Sequence, residues 1–450
     1  MTPPNVLWVM ADQFRYVSMG RAGDPNARTP HLDAFTRQGV WCTDAVSHYP
    51  VCMPYRAGLV TGLRPARNGV LRHGDFLDPS ARTVAHAFKE HGYRTSWVGK
   101  WHLAPESGAA YVTPQGWIGQ DFWVHPRFRG GFDDWLAFNI SNNYLETYIC
   151  PGEKVVPVRL EGYQTDALTD LTIEYLAGRQ REAPGEPWFH VVSYESPHPG
   201  GGGSPRSPGY PVPEPYESLY EPEDIVLRPN VPAGHQPAAR VQLAGYHRLI
   251  ANLDDNVGRL LKFLHESGLS ERTLVVFLSD HGEMGGSHGL RNKQVPFEES
   301  LHLPLAFRLP GRLAPGGVYE GSVAGLDVFP TTLGLCDLPV PAGLDGVDHS
   351  AALAGEAPAP QDAVLVQWED TRYGFGDHPY RALRTPRHTL VVGRDDAFCL
   401  LFDRQEDPYE LQNLYWREGS LRRDLGERLL ELVARAGEEP PEYVKARLGA

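Results

Sequence analysis

The chain has 450 residues, 41% hydrophobic and 10% aromatic, enough for a large packed core. Its formal charge of −14 disfavours nucleic acid and anionic membranes as partners. Its 5 cysteines (positions 42, 52, 150, 336 and 399) are scattered with no Cys-x-x-Cys, which argues against a disulfide framework or zinc ribbon and for a reducing compartment.

The first predicted element is the apolar, β-rich run Asn5–Met10, with Asp12-Gln13 behind it. Nothing basic precedes the run and Asp12 cuts it short, so it reads as a strand and not a signal peptide. No apolar stretch approaches the roughly 20 residues needed to cross a bilayer, and the expected location is cytoplasmic. Thr29-Pro30 opens a helix that Gly39 closes. Next comes Val51-Cys52-Met53-Pro54-Tyr55-Arg56, where Pro54 suits the first helical turn and Gly62 suits the end. Cys52 then sits at a helix N-terminus beside Arg56, a place that favours an anion. A buried structural thiol is the bland alternative. A phosphatase-like Cys-x5-Arg loop fails on spacing, because position 58 is glycine.

Three more apolar strands end in chemistry. Arg94–Val98 leads into Gly99-Lys100-Trp101-His102, Trp188–Tyr194 into Glu195-Ser196-Pro197-His198, and Leu274–Leu278 into Ser279-Asp280-His281-Gly282. Helical stretches at Val84–Glu90, Thr165–Arg179 and Arg240–Glu266 lie between them, which predicts a parallel sheet covered on both faces. Ligands bind beyond the carboxyl ends of such strands, so four polar endings on one sheet suggest an active site. The segment from Pro197 to Pro237 is crowded with proline and glycine and reads as a surface excursion serving as a lid.

After about Asp348 the pattern changes. Ala363–Gln367, Tyr380–Arg384, Thr389–Val392 and Cys399–Phe402 read as short antiparallel strands, and Leu421–Ala436 as a helix. The expected fold class is α/β, a large mainly parallel sheet flanked by helices (residues 1–348), with a smaller C-terminal α+β antiparallel-sheet domain (349–450).

Taken together, these residues resemble the sulfatase branch of the alkaline phosphatase superfamily, whose signature is Cys or Ser-x-Pro-x-Arg followed by a helix and Thr-Gly. Here it stands as Cys52-Met53-Pro54-Tyr55-Arg56 with Thr61-Gly62. Gly99-Lys100-Trp101-His102-Leu103, Ser279-Asp280-His281-Gly282-Glu283, Asn292-Lys293 and Phe297-Glu298 resemble later motifs. Leu401-Phe402-Asp403, Asp407-Pro408, Glu410 and Asn413-Leu414 resemble the C-terminal signature. The resemblance implies an alkaline-phosphatase-like fold and hydrolysis of an aryl, sugar or small-alcohol O-sulfate ester. The same set is compatible with a phosphonate monoester or phosphodiester hydrolase.

The family's cysteine is oxidised to Cα-formylglycine by a maturation enzyme, a partner this chain would then share. The aldehyde hydrates to a diol: one hydroxyl attacks sulfur, the other loses its proton, and sulfate is expelled as the aldehyde re-forms. By the same resemblance Asp12, Gln13, Asp280 and His281, completed by the modified Cys52, hold a divalent metal. Two acids at neighbouring strand ends would repel unless a cation lay between them. Oxygen-rich ligation favours Ca2+, and the imidazole makes Mn2+ the alternative. The set is the Asp-Gln/Asp-His variant also found in choline-sulfatase-like and phosphonate-monoesterase-like relatives; many others have Asp at 13 and Asn at 281.

Further roles are implied in the same way. Lys100 and Lys293 would neutralise sulfate oxygens, and Arg56 would hold the diol. His102 would take the diol proton, while His198 or Lys293 protonates the leaving oxygen. Tyr55, where a small residue is usual, is a candidate pocket wall. His288, Arg15, His73 and His125–Arg129 are candidates for extending a basic pocket, and Trp368-Glu369-Asp370 for the rim. The reading from a different class is a binding protein in which Cys52 stays a thiol.

Overall fold

The computed structural model describes residues 3–105, 121–153, 155–369 and 378–449, with the backbone of short strand pieces between 112 and 120. Unbroken apolar runs make its central strands. β1 (Asn5–Asp12), β5 (Trp188–Pro197) and β6 (Thr273–Ser279) are buried along their whole length, as strands sheathed by helices on both faces must be. With β2 (Val40–Val46), β3 (Arg94–Lys100), β4 (Asp134–Phe138), β7 (His302–Arg308), β8 (Gly317–Tyr319) and β9 (Val323–Ala324) they form a 9-stranded sheet. The order is β8-β2-β7-β6-β1-β5-β3-β4, with β9 also on β2. Strands β6, β1, β5, β3 and β4 run parallel, and β7 is antiparallel to both its neighbours. The mainly parallel sheet expected from the sequence is therefore present.

Helices cover both faces: α1 (Pro30–Gln38), α2 (Cys52–Thr61), α3 (Val84–Lys89), α4 (Gln164–Glu182), α5 (Gln236–Glu266) and α6 (Val328–Leu335). The two cores on either side of the sheet hold alternate residues of one strand: Val6, Trp8 and Met10 face one, Leu7, Val9 and Ala11 the other. Gly99 is required where β3 meets β5. Its φ is +90°, and a Cβ there would lie 2.1 Å from the Ser193 carbonyl oxygen.

The elements read from sequence differ from the observed ones at their ends by up to four residues, most at the start of α5, while β2, β4, β7, β8, β9 and α6 lie outside that reading. The segment after Pro197 is a correction. Tyr210, Val212, Tyr220 and Ile225 are buried in the sheet's core, Val231 is buried as well, and Arg248 of α5 donates to the carbonyls of Arg206 and Tyr220. Its aromatic residues hold it down, so it packs on the body and is not the free lid its proline and glycine content suggested.

The C-terminal residues form an antiparallel sheet of β10 (Val364–Trp368), β11 (Tyr380–Arg384), β12 (His388–Gly393) and β13 (Leu400–Asp403). Alternation splits its faces. Leu365, Leu383, Leu390 and Leu401 pack under α7 (Gly419–Arg435) and α8 (Glu442–Leu448), while Val366, Trp368, Ala382 and Phe402 pack on Val46, Tyr49, Val51 and Leu326. Fully buried Arg384 spans the seam, donating to both oxygens of Glu298 at 2.7 and 2.8 Å and pairing with Asp44. Among the described residues no helix is long and apolar enough to cross a membrane.

This seam carries a pH prediction. Burial alone would raise the Glu298 and Asp44 carboxyls, but Arg384 and Arg404 outweigh it and hold both below the usual range. Carboxyls depressed in the folded state contribute stability that is fully present above their unfolded pKa, about 4, and lost as pH falls through the folded values. Urea midpoints are expected to fall below about pH 4, with a smaller acid slope in Glu298→Gln.

Candidate active site

The carboxyl ends of β6, β1, β5 and β3, neighbours in the sheet, deliver Asp280, Asp12, Glu195 and Lys100 to one edge. Cys52 arrives as the first residue of α2, after extended Val51 (φ −158°, ψ 149°), and Gly62 ends the helix in the left-handed region. Gly58 lets α2 approach closely, since a Cβ there would lie 2.3 Å from His48 Nε2. Asp12, Cys52, Asp280 and His281 are all buried, and each places one ligand atom within 4.8 Å of the others.

Cations bind this cluster together. Arg56 Nη2 is 3.0 Å from Asp12, its Nε 3.1 Å from Asp280, and its Nη1 donates to Ser193 Oγ at 2.9 Å. Lys100 Nζ bridges Asp12 at 2.7 Å and Glu195 at 2.9 Å. Lys293 Nζ donates to Gln13 Oε1 at 2.5 Å and lies 3.0 Å from His198 Nε2. Cys52 Sγ is 3.1 Å from His281 Nε2 and 3.8 Å from Asp12.

The site's electrostatics follow from burial and these pairs. Burial alone would raise Asp12, but its permanent cationic partners, Lys100 first and Arg56, outweigh it and hold the carboxyl well below its usual range. Asp280 goes the other way, pushed up to about 7 by burial and by Asp12 beside it. The Cys52 thiol is pushed up to about 12 by burial and Asp12, so at neutral pH it is a protonated thiol and a poor nucleophile. His102, His198 and His281 are all held well below the usual imidazole value. Burial is the largest cause in each, joined by Lys100 at His102 and by Lys293 at the other two. Neutral imidazoles can accept protons or ligate metal.

The cluster suits a divalent cation. Two buried carboxylates face each other, and the one that burial drives up would be relieved by positive charge between them. His281 Nδ1 lies 3.2 Å from the Gly282 carbonyl, which assigns the proton to Nδ1 and leaves the Nε2 lone pair toward Cys52 and the acids.

The structure brings Asp12, Gln13, Cys52, Arg56, Lys100, His198, Asp280, His281 and Lys293 into one bonded network. His102 stands beside it, its buried Nδ1 without a hydrogen-bond partner and its ring edge-on to His73 at 5.2 Å between centroids. His73 thus lies against a candidate site residue, and Arg15 Nη1 donates to the Glu283 carbonyl at 3.4 Å. His288 stacks on Phe297 at 4.2 Å. Arg129 is consumed by the carbonyls of Val124, Pro151 and Gly152. Arg15 lines a separate cavity of about 280 Å3 with Asp24, Arg228 and Tyr409. Tyr55, the candidate pocket wall, is buried, stacked on His48 and packed against Gly325. Trp368 is buried against Tyr49, Glu369 pairs with Arg381, and Asp370 lies outside the described residues. Sequence reasoning gave no role to Glu195, which carries Lys100, or to Glu283, which holds Gln13. Both were visible only as acids inside quoted motifs.

A helix-sheathed, mainly parallel sheet with acids, lysines and the opening residue of a helix, Cys52, at its carboxyl edge fits a hydrolase of the alkaline phosphatase superfamily, and the comparisons with known proteins agree. A family model described as Sulfatase matches residues 4–338, and one described as N-sulphoglucosamine sulphohydrolase, C-terminal, matches 286–435. The chain belongs to the sulfatase family and is a sulfuric ester hydrolase. It is 33% identical to an ulvan-active sulfatase of Formosa agariphila across 97% of this chain and 82% of that protein. A Bacteroides thetaiotaomicron structure from work on glycosaminoglycan metabolism shares the fold, with TM-score 0.86 and 24% identity over 99% of both chains. The phosphonate monoester hydrolase of Agrobacterium radiobacter superposes with TM-score 0.75 and 25% identity over 96% of both.

Proposed function

We propose that this chain hydrolyses the O-sulfate ester of a sugar, with aryl or small-alcohol sulfates as alternatives, using formylglycine made from Cys52 beside a divalent cation. The observation that carries the reading is the convergence of Asp12, Cys52, Asp280 and His281 ligand atoms within 4.8 Å in a fully buried setting. The sugar preference rests on the relatives, one named for ulvan and one reported with glycosaminoglycans. The division at residues 348 and 349 is part of this proposal.

Asp12, Gln13, Asp280 and His281 would hold the cation, Ca2+ in preference to Mn2+ because oxygen donors dominate. When bound, it would supply positive charge beside the nucleophilic oxygen and the sulfate. Arg56 fixes both carboxylates by one guanidinium and so keeps position 52 over them. Asp12, Asp280, Glu195 and, behind Gln13, Glu283 face Arg56, Lys100 and Lys293, and a dication tips this set toward an anionic substrate. Lys100 and Lys293 stabilise sulfate oxygens as charge grows on them. His102, neutral and with a free buried nitrogen, takes the proton from the residue-52 oxygen in the expulsion step. Lys293 delivers the proton to the leaving oxygen, while neutral His198, its Nδ1 turned to the Pro199 carbonyl at 2.7 Å and its Nε2 accepting from Lys293 at 3.0 Å, orients the ammonium.

A panel of sulfate esters and phosphonate monoesters, run on matured protein, tests this. The highest kcat/KM is expected on a sulfated sugar; a phosphonate monoester as best substrate would establish the second reading, which the Agrobacterium similarity supports. Lys293→Ala is expected to cost roughly 10²–10³ in kcat/KM, as loss of one transition-state donor does. Unchanged kinetics would remove the lysine from the mechanism.

A further inference from the structure

Gln13 is an odd ligand, because an amide can present either its oxygen or its nitrogen to a site, and only the oxygen suits a cation. Its backbone is fixed first. At φ +66°, a left-handed conformation uncommon for non-glycine residues, Gln13 donates its N–H to Asp280 Oδ1 at 3.0 Å. Its carbonyl accepts from the Tyr246 hydroxyl at 2.6 Å. Its side chain is fixed at both ends: Nε2 donates to Glu283 Oε2, and Oε1 accepts from Lys293 Nζ. Flipping the amide would set donor against ammonium and oxygen against carboxylate.

Glu283 is itself fully buried and immobilised. Its Oε1 accepts from the backbone N–H groups of Gly285 and Asn292 at 2.9 and 2.8 Å and from Gln242 Nε2 of α5 at 2.9 Å. One carboxylate thus ties the end of β6, the helix behind it, the loop that delivers Lys293, and the side chain of Gln13. An ionised carboxylate can accept at both oxygens at once, and every group around Glu283 is a donor.

We infer that Glu283 is a positioning residue that selects the orientation of the Gln13 amide, turning its oxygen to the cation and to Lys293. The inference rests on the reading of Asp12, Gln13, Asp280 and His281 as a cation site. It explains why glutamine can stand at position 13: a carboxylate there would face the Glu283 carboxylate across a buried gap. Positions 13 and 283 form a matched pair, one amide and one acid.

The pair predicts reciprocal rescue. Glu283→Gln keeps the shape but turns an NH2 toward Gln13, which reverses the Gln13 amide. Gln13→Glu alone sets two carboxylates together. The double variant Gln13→Glu/Glu283→Gln restores one donor and one acceptor with their roles exchanged. Calorimetric titration of the full-length, metal-stripped protein with Ca2+, and separately with Mn2+, reads this without any turnover. Each single variant is expected to lose about 10–100-fold in affinity, the usual cost of removing a ligand's hydrogen-bond support, and the double variant to recover to within about threefold of wild type. Folding is followed by circular dichroism and thermal melting, with Gln242→Ala as a control for loss of packing around the carboxylate; it leaves the Gln13 bond in place and is expected to bind near wild-type affinity. Wild-type affinity in Glu283→Gln would overturn the inference, as would a double variant no better than the worse single. Wild type binding neither ion would overturn the cation-site reading, and this inference with it.

Discussion

Cys52→Ala is expected to remove sulfate-ester turnover, by roughly 10⁴-fold or more in kcat/KM, while leaving the fold in place. The side chain is small and sits at the edge of the core facing polar groups, Asp12 and His281, and not apolar neighbours. Truncating it therefore removes chemistry without opening a large apolar cavity. Circular dichroism and a thermal melt near the wild-type value, with activity at background, is the expected pair of results. A variant that loses both together would favour the structural-thiol reading. Cys52→Ser separates the mechanism further. A serine hydroxyl can be sulfated, but it has no second hydroxyl whose proton can leave to expel sulfate. That variant is expected to stall, gaining the mass of a sulfate group at residue 52. Intact-mass analysis of wild type from its native host should show the Cys52 peptide lighter than the thiol form.

The second large effect is on stability. Arg56 is buried and pairs simultaneously with Asp12 and Asp280; Asp12 keeps Lys100 at 2.7 Å, so Arg56→Ala strands the buried Asp280 carboxylate without a cationic partner. Removing one partner of a buried ion pair costs about 3–5 kcal/mol. We expect a loss of that size in urea unfolding of the metal-free protein. A smaller loss is expected with saturating Ca2+, because a dication supplies part of the missing charge. Arg56→Lys should fall between, since a single ammonium cannot bridge two carboxylates as a planar guanidinium does. An equal loss with and without Ca2+ would speak against the cation site. Unchanged stability would mean that the carboxylates are hydrated or neutral in the folded chain.

Which parts of this were readable in the amino-acid order follows from what each feature depends on. Strands β1, β5 and β6 are legible because a strand buried on both faces must be apolar throughout, whatever surrounds it. Their polar endings Asp12, His198 and Asp280 are legible as a set because parallel strands end on the same edge. The cysteine motif carries its own helix start in Pro54 and helix stop in Gly62. The excursion after Pro197 misled because proline and glycine content reports local stiffness, whereas Tyr210 and Tyr220 bury through contacts with α5 that no local pattern encodes.

Sequence alone determined the four strands whose ends carry the chemistry and the membership of the family, because periodicity and motif spacing are local properties. Only the tertiary structure decided the pairings: Arg56 on two acids from different strands, Glu195 under Lys100, Glu283 behind Gln13, and Tyr55 packed away from the site. Those pairings join residues as far as 270 positions apart. Their partners are chosen by burial, where every carboxylate needs a donor and every cation an acid, and that demand exists only after the sheet has closed over them.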